Sequence, residues 1–412
     1  MFSVLTREHS SKLVNRLTAA ASSRFQAAVN PTQVNTAFFS DTAHVPKQKP
    51  KHIKKPKHIS PGTLGLPRVK IYGSTLRLKV VDPARVEAKK MRREIDAIFK
   101  VKANAQENVD QFIAEVMETA SIVRLADFMR VSCQKNRKEF PLLKKHLPVL
   151  AKRISDLTSE PWTFKQIAFV VYSLQHIQEK DRHIMNILSS MVKVSAVTMA
   201  GDVPPSSMDI AMIILGLQHH DATQVQAGNI LGFVEQMLQV CTAKFDAQSL
   251  SNSFYGLRGM DVTSPQALAV LASITKRVDK CKGTFTAQQI GFALNGFQNM
   301  NDTRPEVLAG LKALMPLVGK IPKTFRSQQI GHAIIGLQKM TSETPEVLQM
   351  MDCLIPEFAF CREKLTPEDT KKVLLGTKKM GNKCPQVRTM KAALGLQKYL
   401  DFEERGIRDD SL

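Results

Sequence analysis

No stretch of eighteen or more uninterrupted apolar residues occurs in the chain, so no membrane-spanning helix is expected. Cysteine is sparse: Cys133, Cys241, Cys281, Cys353, Cys361 and Cys384 are scattered without a CxxC pair. That argues against a zinc ribbon or a disulfide framework and fits a reducing compartment. A Walker-type phosphate loop and a GxSxG elbow are both missing, so neither of those two catalytic classes is read. Acids are scarce in one region only. Residues 1–102 hold 21 Lys/Arg against 6 Asp/Glu, whereas residues 160–412 hold 28 against 24. The net charge of +21 is therefore concentrated in the first quarter, and electrostatic attraction to nucleic acid rests mainly there.

What the sequence does have is a repeat. Pro265, Pro305, Pro345 and Pro385 share one column; Gly216, Gly256, Gly296, Gly336 and Gly376 share another. From Phe245 to Met380 the period is forty residues, and a fixed period of that length marks a stacked-repeat protein. Spacing is looser towards the start, where Ser132 lies 41 residues before Ser173 and Ser173 lies 43 before Gly216. Looser spacing is expected where terminal units act as caps.

Each unit reads as two helices. Thr286 stands three residues before Gln289, a capping box in which the hydroxyl accepts from a free backbone N–H while the amide reaches back. The same columns read Thr163/Gln166, Ser206/Asp209, Asp246/Ser249 and Thr366/Asp369, and Arg326 alone breaks the cap column. The residue before the cap (Trp162, Phe245, Phe285, Phe325 or Leu365; Pro205 in one unit) pairs with Ile167, Leu250, Ile290, Ile330 and their equivalents as a hydrophobic staple. The first helix continues with Ile290, Ala293, Leu294 and Phe297 on one face. Gly291 and Gly296 fall inside it at about 1 kcal/mol each relative to Ala, which predicts a closely approaching neighbour. After a polar turn, the second helix opens at Pro305, a position where Pro is well tolerated. Its expected buried stripe is Val307, Leu308, Leu311, Leu314 and Met315. Two helices of about fifteen residues and two short connections fill the period.

One such hairpin cannot bury both apolar faces, whereas stacked hairpins can. The expected fold is all-α, an α-solenoid of about six to seven helix-turn-helix repeats, preceded by a basic disordered segment and a small hairpin plus helix. The predicted organisation is a presequence at 1–40, a basic linker at 41–66, a hairpin plus basic helix at 67–107, degenerate capping helices at 108–160, the array at 161–400 and an acidic tail at 401–412. The start carries Arg7, Lys12, Arg16 and Arg24 against one acid, Glu8, with abundant Ser, Thr and Ala; it reads as an organelle presequence, mitochondrial by preference over plastid. Lys47 to Ile59 (KQKPKHIKKPKHI) is too rich in Lys and Pro to pack a core. Its Lys54, Lys55 and Lys57 suit a phosphate backbone, and a plain linker has the same composition. Val69 to Val81 alternates around Gly73-Ser74 as one β-hairpin. Asp82-Pro83 then opens a helix whose Lys89, Lys90, Arg92 and Arg93 form a basic face.

Candidate binding positions lie on the exposed face of the first helix of each unit. The column four before the glycine reads Met212, Asn252, Phe292, His332, Lys372, and the column one before it reads Leu215, Tyr255, Asn295, Ile335, Leu375. Asn can read a base edge, while Tyr, Phe and His can stack on one. Two after the glycine stand Gln218, Arg258, Gln298, Gln338 and Lys378, all hydrogen-bond donors. Met212, Leu215, Ile335 and Leu375 suit packing instead. No catalytic constellation, cofactor or metal site is read. His219-His220-Asp221 falls where a polar turn is expected, and adjacent helical histidines point apart. Met300, Met340 and Met380 recur at the repeat spacing as core filler.

The strings FDAQSLSNSFYGLRGM (Phe245–Met260), FTAQQIGFALNGFQNM (Phe285–Met300) and FRSQQIGHAIIGLQKM (Phe325–Met340) resemble the first helix of the octotricopeptide and heptatricopeptide repeat families. The resemblance covers roughly residues 160–400 and rests on the aromatic start, the Gln-Leu/Ile core and the Gly-Leu-x-x-Met end. It implies an organellar helical-hairpin array that acts on RNA, here single-stranded RNA in transcript processing, stability or translation. No nuclease-like C-terminal domain is read, and no enzymatic activity is expected. The alternative class is a protein-binding scaffold or a structural component of a mitochondrial assembly such as the ribosome or a respiratory complex, since hairpin solenoids also bind proteins.

Overall fold

The computed structural model describes residues 69–71, 74–76, 93, 114, 117–134, 140–177, 181–201, 203–321, 325–397 and 399–400. The expected presequence, the basic linker with Lys54, Lys55 and Lys57, the positions Lys89, Lys90 and Arg92, and the acidic tail lie outside them. The chain divides into two units, residues 1–78 and 79–412. In the first, strands β1 (Val69–Ile71) and β2 (Ser74–Leu76) pair antiparallel, with Val69 opposite Leu76 and Ile71 opposite Ser74.

The second unit is helical. Its elements are α1 (Ile122–Gln134), α2 (Phe140–Asp156), α3 (Phe164–Ser173), α4 (Arg182–Met199), α5 (Ser207–Gly216), α6 (Val225–Val240), α7 (Ala247–Gly256), α8 (Pro265–Thr275), α9 (Ala287–Asn295), α10 (Pro305–Val318), α11 (Ser327–Ile335), α12 (Pro345–Ala359), α13 (Pro367–Thr377) and α14 (Pro385–Ala393). Every odd-numbered helix packs on the next odd one, and every even-numbered helix on the next even one. The helices α1, α3, α5, α7 and α9 also pack on the even helix that follows. Helices stacked in series like this are consistent with an α-solenoid.

Local chemistry sets the helix starts. Thr163, Ser206, Asp246, Thr286 and Thr366 each accept from the backbone N–H three residues on, and Gln166, Asp209 and Gln289 return the bond. Arg326 has no acceptor to offer, yet Gln329 Oε1 still takes its backbone N–H at 3.0 Å. Trp162, Phe245, Phe285 and Phe325, before the caps, are all buried. Pro stands in the first turn of α8, α10, α12 and α14.

The odd helices are shorter than the fifteen residues expected; α5, α7, α9 and α11 end at the glycine column or one residue before it, while α13 runs one residue past Gly376. In α9 regular helix stops at Asn295; Gly296 is the cap, and tight turns follow, with Phe297 donating to Leu294 and Met300 to Phe297. The glycine column itself marks a contact between backbones. A Cβ at Gly216, Gly256, Gly296, Gly336 or Gly376 would sit 2.0–2.2 Å from the carbonyl oxygen of Val171, Ile214, Phe254, Leu294 or Ile334 on the preceding odd helix. No side chain fits there.

A second small column lies five before the glycine: Ala168, Ala211, Ser251, Gly291, Gly331. It faces the following unit. Ser251 donates to the Gln289 carbonyl at 2.9 Å, and a Cβ on Gly291 would come within 2.9 Å of the Gln329 carbonyl. In α13 this column is Lys371, and it is exposed.

Ile290, Ala293, Leu294, Phe297 and the Met260, Met300, Met340, Met380 column are buried as expected. In α10 the buried stripe is Val307, Gly310, Leu311, Leu314 and Val318, with Leu308 and Met315 only partly covered. Gly310 is the unexpected member: a Cβ there would fall 2.8 Å from the Phe297 ring, so the glycine makes room for it.

Gly296→Ala improves helix propensity by about 1 kcal/mol but pushes a methyl into a carbonyl, and overpacking costs about 1–3 kcal/mol or more. Denaturant unfolding should therefore show net destabilisation. Gly319→Ala is the control: φ is −70 and nothing lies within 4 Å of the added Cβ. It should be neutral or stabilising by up to about 1 kcal/mol.

Candidate nucleic-acid interface

Residues eight, four and one before the glycine share one face of an odd helix, because positions four and three or four apart stack on a helical surface. Close packing of the odd row brings these stripes into contact across units. The Tyr255 and Phe292 rings stack with centroids 4.8 Å apart and 28° between planes. Phe292 and His332 follow at 5.4 Å and 33°. All three side chains are half-buried.

The ladder continues as cations at both ends. At one, the Arg258 guanidinium lies 4.7 Å from the Tyr255 ring centroid and donates to the Tyr255 hydroxyl, the His219 ring and, at 3.3 Å, the Gln218 carbonyl. At the other, Lys372 lies beside His332 and bonds Glu368 at 2.7 Å, with Asp369 at 3.7 Å. Further towards α1, Phe169 occupies the column of Phe292, with the Arg130 guanidinium 4.6 Å from its centroid. The buried Met212 interrupts the stripe between them.

Both ladder histidines are neutral at pH 7. Burial, reinforced by Lys372, pushes His332 from 6.5 down to about 4. Burial, then Arg258, does the same to His219. The other candidates in these columns fall into three groups. Asn252 is half-buried and takes the Gln248 amide at 2.8 Å, and Gln248 in turn accepts from Gln289 at 3.0 Å. Asn295, Leu215 and Ile335 are buried, Asn295 only 4% exposed with its Oδ1 unpartnered. Leu375 is 41% exposed.

Side chains two and three residues after the glycine join units to one another. Gln218 donates to the Gln175 carbonyl and Gln338 to that of Gln298, both at 2.9 Å, and Asn299 donates to that of Arg258 at 2.8 Å. Gln298 is half-buried, whereas Lys378 is exposed. Arg93 is helical and exposed. His219 and His220 take different partners, Arg258 and Gln224. Among the described residues no three His, Cys, Asp or Glu are grouped to hold a metal, and no helix is long and apolar enough to cross a membrane.

Two sets of residues at this face escaped the sequence reading. Gln248, Gln288 and Gln328 occupy the column eight before the glycine, with Gln288 and Gln328 exposed. A polar residue kept in three successive units on the solvent side was the available signal. Lys371, Lys379 and Lys383 are exposed around the end of α13, and counting charge unit by unit would have found them. The face therefore has an aromatic centre, amides along one side and lysines at one end. Because the rings already touch each other, their edges and flanks, not the gaps between them, are what the face leaves open. No protein-family model matches this sequence, and no curated protein does.

His332 is protonated in the unfolded chain below about 6.5 but in the folded one only below about 4. The unfolded state thus binds more protons between those values, and stability falls as pH drops through that window. Urea midpoints measured from pH 7 to pH 4 should decline, and His332→Phe, which keeps a ring in the stack, should decline less steeply.

Proposed function

We propose that this chain is an organellar RNA-binding repeat protein acting in transcript processing, stability or translation, with the mitochondrial matrix as its place of work and a plastid as the alternative. On this reading seven helix pairs are successive units of one forty-residue repeat of octotricopeptide or heptatricopeptide type, and single-stranded RNA lies along the odd-numbered row. The observation that carries it is the continuous stripe of Tyr255, Phe292 and His332, bounded by Arg258 and Lys372 and flanked by Gln248, Gln288 and Gln328. Ring edges and flanks offer sequence-tolerant apolar contact, amides offer contacts to base edges, and cations offer contacts to phosphate. The basic segments of the first hundred residues add sequence-independent attraction.

One observation favours a protein-binding scaffold instead. Residues 245–360 hold 11 Lys/Arg against 9 Asp/Glu, so the units bearing the rings are close to neutral. A mitochondrial assembly such as the ribosome or a respiratory complex is the setting for that reading.

Fluorescence anisotropy of the full chain with labelled single-stranded RNA separates the two. Binding should weaken steeply between 50 and 200 mM salt, and Phe292→Ala, which removes the ring that Tyr255 and His332 both touch, should weaken binding at every salt concentration with circular dichroism unchanged. Absence of RNA affinity at every salt concentration decides for the scaffold.

A further inference from the structure

The last helix pair differs from the others in charge. Residues 364–398 hold 9 Lys/Arg against 2 Asp/Glu, while the three preceding pairs are nearly balanced. Both acids are already engaged: Glu368 bonds Lys372, and the buried Asp369 takes the hydroxyls of Ser327 at 2.5 Å and Thr366 at 2.7 Å. They cannot neutralise the remaining lysines. Lys371, Lys378, Lys379 and Lys383 are exposed on α13 and the turn after it. Among the described residues, Lys371, Lys378 and Lys383 have no carboxylate partner, and Lys379 Nζ reaches only the Lys339 carbonyl, at 3.5 Å.

Two lysines of this pair continue the stripe. Lys372 holds the column of Phe292 and His332 and lies against α11, where a Cβ on Gly331 would come 3.2 Å from its Cδ. Lys378 holds the column of Arg258, the cation at the other end of the ladder. The middle of the stripe offers rings and amides with almost no net charge, and the helix pair at its far end carries four exposed ammonium groups with no carboxylate partner among the described residues. Flexible, strongly hydrated point charges of this kind suit phosphate oxygens without regard to sequence.

We propose that the α13–α14 pair is the phosphate anchor of the interface, a site that grips the backbone of single-stranded RNA while the α7–α11 stripe meets its bases. The division of labour rests on the RNA reading above. It predicts that the two regions fail differently when altered: loss of a stacking ring lowers affinity at every salt concentration, whereas loss of phosphate contacts lowers the salt dependence itself.

The test uses the full chain, fluorescein-labelled oligouridylate, and the quadruple variant Lys371→Gln, Lys378→Gln, Lys379→Gln, Lys383→Gln, with Phe292→Ala alongside. Each phosphate contact on a single strand contributes about 0.7 to the slope of log affinity against log salt. The quadruple variant should lose about 3 in slope, so that between 50 and 200 mM salt it weakens about 50-fold less than the parent. Phe292→Ala should keep the parent's slope. Thermal unfolding of the quadruple variant should match the parent, since these side chains are exposed and Lys379 makes no more than a 3.5 Å contact with the Lys339 carbonyl. If the parent binds oligouridylate and the quadruple variant retains its slope, the anchor is overturned while the RNA reading stands. If the parent binds no RNA, both fall. Competition by oligoglutamate as effective as that by unlabelled oligouridylate at equal charge would overturn the anchor in favour of an acidic protein partner.

Discussion

A single backbone contact governs the odd-numbered row. Each of five glycines faces a carbonyl oxygen of the preceding odd helix at a distance no Cβ could occupy. Helices whose facing side chains are ordinary sit about 8–10 Å apart, and bulk at this point would hold them away. With glycine there, neighbouring odd helices come close enough for side chains on their outer faces to touch from unit to unit. The ring contacts of Tyr255, Phe292 and His332 are a downstream effect of that spacing. So are the carbonyls captured by Gln218, Arg258 and Gln338. The even row is spaced instead by ordinary side chains such as Leu311, Leu314, Met350 and Leu354, all fully buried.

The same spacing explains why the stripe is chemically uneven. Residues in contact with their equivalents one unit away cannot all carry the same charge without repulsion. Rings and amides tolerate such repetition, and Phe292, His332, Gln248 and Gln289 occur where the stripe is continuous. Charge is confined to the margins, at Arg258 and Lys372, where an acid or a ring lies on only one side. Burial within the ladder keeps His332 and His219 uncharged at neutral pH, which removes a further source of repulsion.

Most of the architecture was legible before any coordinates. The caps at Thr163, Ser206 and Thr286, the first-turn prolines and the apolar face of Ile290, Leu294 and Phe297 are local signals, and local signals survive folding. The close approach at Gly296 was legible too, because a residue unfavourable to helix recurred in register. Two things were not. That α9 stops at Asn295, one residue before its glycine, while α13 runs to Thr377 is not written in propensity. Which variable positions stay half-open and which are covered is not set by position on the helix alone: Phe292 and Asn295 lie three apart on one helix, yet Asn295 is buried while Phe292 is half-buried between the rings of its neighbours. Lys371, Lys379 and Lys383 were missed because charge was summed over the whole array, where acids elsewhere conceal them.

The small column five before the glycine admits the next odd helix at Ala168, Ala211, Ser251, Gly291 and Gly331, and in α13 it holds Lys371. A newly copied unit placed between two existing ones would find a glycine seat on one side and a small residue on the other, and would dock without any compensating change. The same copy attached beyond α13 would meet an ammonium-tipped side chain where it needs bare backbone. Evolution can therefore lengthen this protein by duplication within the row far more easily than by extension past its last pair, and variation in unit number among descendants of this gene should accumulate in the interior.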